Sequence, residues 1–257
     1  MSVAARSWRP AFSPQGFWNQ VDPTAVQQAL RLIFSRWGLP KSFRVDNGAP
    51  WGSSSDWPTD LALWLIGLGV AMRWNPPRRP QDNGVIERSQ GTGKRWAEPG
   101  RCQDVPQLQE RIDEMDRIQR EVYPSVQGQS RWQAFPGLEH SGRSYSKAWE
   151  KRVWDLELVL AHLREYSVVR RVDCKGQITI YSRHHYVGEK YRGQSLYVVL
   201  DPIDREWVFT TAEDVQLRRK AAEELTRERI IRLQVSHPYP SKTRRPGKTQ
   251  CRDYRQN

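Results

Sequence analysis

The chain has 257 residues and a net charge of +12, and 37% of it is hydrophobic, enough for one large or two small domains. Its pI of about 9.9 favours a polyanionic partner. No apolar run is long enough to span a bilayer and no apolar leader follows Met1, so nucleic acid fits that charge better than a membrane.

The first twenty residues hold Pro10, Pro14, Gly16, Trp8 and Trp18, a poor helix and at best a ragged edge strand. Asp22-Pro23 predicts an N-cap followed by proline at the first helical position, opening a helix that runs to Trp37 with Val26, Leu30, Ile33 and Trp37 on one stripe. Gly38-Leu39-Pro40 ends it, and Phe43–Val45 reads as a short strand delivering Asp46 into an Asn47-Gly48 turn. Asp56-Trp57-Pro58 is expected to cap a helix carrying Leu61, Trp64, Leu65 and Leu68, which Gly67 and Gly69 stop. A strand is predicted over Val70–Trp74, then a loop over Asn75–Pro80, a helix with Glu87 near its opening, and another helix over Val105–Val122 with Leu108, Ile112, Met115 and Val122 on one face.

Residues 127–147, rich in Gly, Ser, Gln and Arg, read as a linker. Short β-rich runs follow at Val168–Val172, Gln177–Tyr186, Leu196–Leu200 and Glu206–Thr210, evenly spaced as in a small barrel. Leu217–Leu233 is expected to form a charged helix, and the tail from His237 carries Lys242, Arg244, Arg245, Lys248, Arg252 and Arg255. Either a solvated end or a phosphate-binding arm fits that tail. Cys102, Cys174 and Cys251 are too scattered for a disulfide frame or zinc site, and His184-His185, adjacent in a strand, would point to opposite faces. The tryptophans read mainly as packing groups, with Trp132 and Trp149 the candidates for stacking on bases.

Two stretches carry chemistry. Asp46-Asn47-Gly48-Ala49-Pro50-Trp51-Gly52 and Pro80-Gln81-Asp82-Asn83-Gly84-Val85-Ile86-Glu87, with Lys94 two helical turns after Glu87, each place a carboxylate beside a tight turn. Each alone is an ordinary turn or a helix-start charge. Together they resemble the DDE family of transposases and integrases, in the wording and carboxylate spacing of bacterial insertion-sequence enzymes. The resemblance implies an α/β RNase H-like core over residues 1–126, incomplete at its N-terminus. It implies a linker with a helical segment over 127–164, an SH3-like barrel over 165–216, and a charged helix and basic tail over 217–257.

By the same resemblance Asp46 and Glu87 are catalytic carboxylates holding Mg²⁺ or Mn²⁺. Asn83, Arg88 and Lys94 would lie near the DNA end, and Lys242, Arg244 and Arg245 would touch phosphates. The partner is double-stranded DNA, both element ends and target, bound by a homo-oligomer in the nucleoid of the cytoplasm. The chemistry is Mg²⁺-dependent strand transfer, which uses two ions and a third carboxylate on an earlier central strand. Residues 1–21 contain no aspartate or glutamate, and Asp22 is committed to a cap. The expectation is therefore a truncated, inactive transposase or a non-enzymatic DNA-binding remnant. In it the Phe43–Val45 strand would present an open edge, and Gly91 and Gly93 would weaken the helix before Lys94.

Overall fold

A computed structural model describes residues 3–4, 22–52, 56–76, 91–93 and 95–236. The protein is a mixed α/β molecule with one parallel sheet and several antiparallel strands. Its contacts divide it into two compact units. One joins the described residues up to Trp51 to Leu68–Val153, and the other joins those of Gly52–Gly67 to the described residues from Trp154 onward.

In the first unit β1 (Val3–Ala4), β2 (Ser42–Val45) and β3 (Ala71–Trp74) form a parallel sheet in that order. The register sets Val3 against Phe43 and Val45 against Trp74. Strand β2 is thus central, and the open edge expected at Phe43–Val45 is corrected: β1 pairs with it. Helix α1 (Pro23–Trp37) starts where Asp22 accepts the amides of Thr24 and Ala25 at 2.9 and 3.3 Å. Its buried stripe is Val26, Leu30 and Phe34, whereas Ile33 is 41% exposed. A stripe advancing by four residues at each step keeps Phe34 inward and turns Ile33 to the side. Gly38 ends the helix at φ 75°, and a side chain there would meet the carbonyl of Arg143 at 2.7 Å.

Helix α2 (Asp60–Gly67) belongs to the second unit and is buried at every position. Asp56 does not cap it. Its carboxylate accepts the Trp57 amide at 2.6 Å and pairs with Arg170, while Thr59 accepts the Ala62 amide at 3.4 Å. The buried Asp60 carboxylate, at the helix N-terminus where negative charge is favoured, accepts the amides of Val235 and Ser236 at 2.8 and 2.9 Å. Gly67 is needed for packing, because an added Cβ would lie 2.0 Å from the Trp154 ring. That ring donates from Nε1 to the Trp64 carbonyl at 3.0 Å.

Helix α3 (Val105–Glu121) returns to the first unit, capped by Asp104 through the Gln107 amide at 2.8 Å. Met115 and Gln119 are its buried residues, while Ile112 and Val122 are exposed. Residues 127–147 are stitched to this unit. Ser130 and Gln133 form a capping box, and Arg143 donates to the carbonyls of Pro40, Leu68 and Gly69 at 2.9, 3.0 and 3.0 Å. The boundary between the units falls after Val153.

The second unit continues with α4 (Leu156–Arg164), β4 (Val168–Arg171), β5 (Gln177–Ile180), β6 (Arg183–Tyr186), β7 (Ser195–Asp201), β8 (Glu206–Thr210) and β9 (Gln216–Ala221). The four-stranded antiparallel sheet has the order β4-β7-β8-β9, and β5-β6 is a separate hairpin. Alternation places Leu196, Val198 and Leu200 inward with Trp207 and Phe209. The charged helix expected over Leu217–Leu233 is corrected. Residues 216–221 extend the sheet, with Arg219 reaching Asp201 and Glu206 from β9, and the helix is the short α5 (Arg227–Ile231). The segment alternates half-buried Leu217 and Arg219 with exposed Arg218 and Lys220, a period of two that composition concealed.

His184 is exposed and His185 buried, as adjacent strand positions require. The buried Glu224 carboxylate accepts the Trp207 indole at 2.6 Å and lies 3.4 Å from His185 Nε2. Burial raises the phenol pKa of Tyr145, Tyr166 and Tyr181, with Glu150 adding at Tyr145 and Asp60 at Tyr181. A raised native pKa stabilises the fold fully below the unfolded value and is lost as pH climbs through the native one. Stability is therefore expected to decline above about pH 10, read as a falling urea midpoint with tyrosinate absorbance appearing on unfolding. A midpoint flat through that range would contradict this.

Candidate carboxylate site at the parallel strand ends

The C-terminal ends of β2 and β3 lie side by side, the edge of an open parallel sheet where ligands commonly sit. Strand β2 buries Phe43 and Val45 and releases Asp46 at its end. Strand β3 is followed by Asn75, which is 5% exposed and donates its amide to the Val45 carbonyl at 2.8 Å. Asn75 is a clasp: its side-chain oxygen accepts from Arg44 Nε at 2.7 Å, and its carbonyl accepts from Asn47 Nδ2 at 2.6 Å. The Asp46-Asn47 step is thereby fixed from both sides.

The following turn is held as well. Trp51 donates its amide to the Gly48 carbonyl at 2.8 Å, its own carbonyl accepts from Trp74 Nε1 at 3.3 Å, and its ring rests 5.2 Å from that of Phe43. The Asp46 carboxylate itself is exposed, with no hydrogen-bond or ion-pair partner among the described residues. An uncompensated carboxylate on a braced turn keeps both oxygens available. With carbonyl and amide groups around it, this donor suits a hard cation that takes oxygen ligands.

No protein-family model matches the chain. Of the residues singled out from sequence, Asp46 is placed at the strand end, while Asn83, Glu87, Arg88, Lys94, Lys242, Arg244 and Arg245 lie outside the described residues. Residues 91–93 and 95–97 are helical, so Gly91 and Gly93 sit inside helical segments, and an added Cβ at either would meet nothing within 4 Å. Among the described residues no three His, Cys, Asp or Glu side chains gather in a metal-binding group. Trp132 lies 5.9 Å from the Arg120 guanidinium and Trp149 6.1 Å from the Tyr145 ring. Cys102 is a free thiol. Among the described residues no helix is long and apolar enough to cross a membrane.

Asn75 is the site residue that sequence reasoning missed, having been read as the start of a loop. The signal lay in its position directly after the β3 run, where a short polar side chain can tie neighbouring strand ends together.

Proposed function

We propose that this chain is a relative of the DDE transposases and integrases. Its first unit would be an RNase H-like core presenting Asp46, and its second an SH3-like DNA-binding module. The observation that carries the reading is Asp46: exposed and without a partner among the described residues, at the end of the central strand of a parallel sheet, on a turn that Asn75 and Trp74 brace. The net charge of +12 supports a DNA partner. In this reading the protein works as a homo-oligomer on element ends and target DNA in the nucleoid.

Asp46, with Glu87, would hold Mg²⁺ or Mn²⁺, which when bound polarises a phosphoryl oxygen and activates the attacking hydroxyl. The chain's own contribution is to fix the Asp46 carboxylate in place and to bring cationic side chains to the phosphates. Because residues 1–21 carry no carboxylate, residues 1–257 supply two of the three ligands that a close ion pair needs. For residues 1–257 taken by themselves, DNA binding without strand transfer is the second reading.

Mn²⁺ binding followed by water-proton relaxation tests the site. Residues 1–257 are expected to bind one ion weakly, and Asp46→Asn to abolish that binding while moving stability by less than about 0.5 kcal/mol, as befits an exposed group. Mn²⁺ binding that survives both Asp46→Asn and Glu87→Gln would overturn the assignment.

A further inference from the structure

The outer edge of β6 in the hairpin and the outer edge of β9 at the end of the four-stranded sheet carry no ladder partner among the described residues. Those two edges line the same trough. One cleft, of about 360 Å³, lies between Tyr186–Tyr191 on the β6 side and Leu217-Arg218 on β9. A second, of about 290 Å³, lies between Arg183–Tyr186 and Lys220-Ala221, so that Tyr186 borders both. The trough runs along the length of β6 and most of β9.

Its outer rim is basic. Arg218 and Lys220 are exposed, two residues apart on one face of β9, and neither has an ion-pair partner among the described residues. His184 and the exposed Tyr186 occupy the outer face of β6. The acidic groups of the trough are at its ends and engaged, Glu223 with Arg183 and Glu189 with Arg192.

We propose that this trough takes up an extended acidic segment of a partner protein as an added β-strand, with acidic side chains at alternate positions. A strand edge offers alternating N–H donors and C=O acceptors, and a peptide strand satisfies both. A DNA backbone supplies acceptors alone, so the carbonyls of both edges would lose water without gaining a donor. The two-residue spacing of Arg218 and Lys220 matches the side-chain period of a strand lying beside β9. Basic side chains on an edge also discourage pairing between identical edges, since like charges would face each other. An acidic strand turns that repulsion into attraction.

Fluorescence anisotropy with the full chain tests the proposal, using a short labelled peptide that alternates glutamate with valine. The peptide is expected to bind and to slow hydrogen exchange of the β6 and β9 amides. Arg218→Glu with Lys220→Glu is expected to weaken binding about tenfold or more. The same peptide with alternate backbone nitrogens methylated keeps its charge and loses its donors, and is expected not to bind. These outcomes together separate the trough from simple attraction to the basic tail. Equal binding of the methylated peptide, binding unchanged by the double substitution, or an Arg218- and Lys220-dependent site for single-stranded DNA in place of the peptide would each overturn the proposal.

Discussion

Replacing Glu150 by alanine is expected to destabilise the first unit by about 3–5 kcal/mol. Glu150 is 2% exposed and accepts two bonds from the Arg31 guanidinium, from Nε at 3.0 Å and Nη2 at 2.7 Å. It also accepts the Tyr145 hydroxyl, whose ring packs edge-on against Phe34 at 5.8 Å. Arg31 is 8% exposed, so losing Glu150 strips a buried guanidinium of two charge-assisted hydrogen bonds, and that loss is the main cost. Replacing both partners together, Arg31→Met with Glu150→Leu, is expected to recover most of the loss, because an apolar pair needs no counter-charge. Urea unfolding of the two variants checks this. A single-variant loss below about 1 kcal/mol would mean that the pair behaves as a surface ion pair.

The affinity of the full chain for duplex DNA is expected to fall steeply with salt, and removal of His237–Asn257 to flatten that dependence. Each phosphate neutralised contributes about −0.9 to the log–log slope. The tail carries Lys242, Arg244, Arg245, Lys248, Arg252 and Arg255. With all of them engaged, raising salt from about 50 to about 200 mM costs the tail's contribution about a thousandfold in affinity. Filter binding of the full and shortened chains gives both slopes. Equal slopes would mean that the tail touches no phosphate and is a solvated end. A salt-independent affinity of the full chain would remove the polyanion reading altogether.

Legibility followed how local each cause was. The start of α1 was readable because Asp22-Pro23 is a cap acting within three residues. The β2 and β3 runs were readable because short apolar segments bounded by turn residues have few other solutions. Asp46 was legible as the residue that β2 delivers. Asn75 was not, because its partners Arg44 and Asn47 belong to another strand and its loop. The 127–147 segment read as linker from composition, yet Arg143 ties it to three carbonyls far away in sequence, contacts that leave no periodic trace. Gly67 read as a helix stop, and α2 does end there, but the close approach of Trp154 to it left no trace in the sequence pattern. The pairing of β1 with β2 was missed because Val3–Ala4 is too short to show alternation.

The contrast between Asp46 and Glu150 states the central claim in two residues. Glu150 is buried and bonded on both oxygens, so its chemistry is consumed by the fold. Asp46 is exposed and has no partner among the described residues at its braced strand end, so its chemistry is available. The most direct test is a strand-transfer assay with Mg²⁺ and a matched terminal-repeat duplex. It compares residues 1–257 alone with the same chain supplied, in cis or as a co-expressed fragment, with an upstream strand bearing an aspartate. No product from the chain alone, product from the restored protein, and loss of that product on Asp46→Asn are predicted. Robust Mg²⁺-dependent product from residues 1–257 alone, with contaminating nuclease excluded, or restored activity indifferent to Asp46→Asn, would contradict the account.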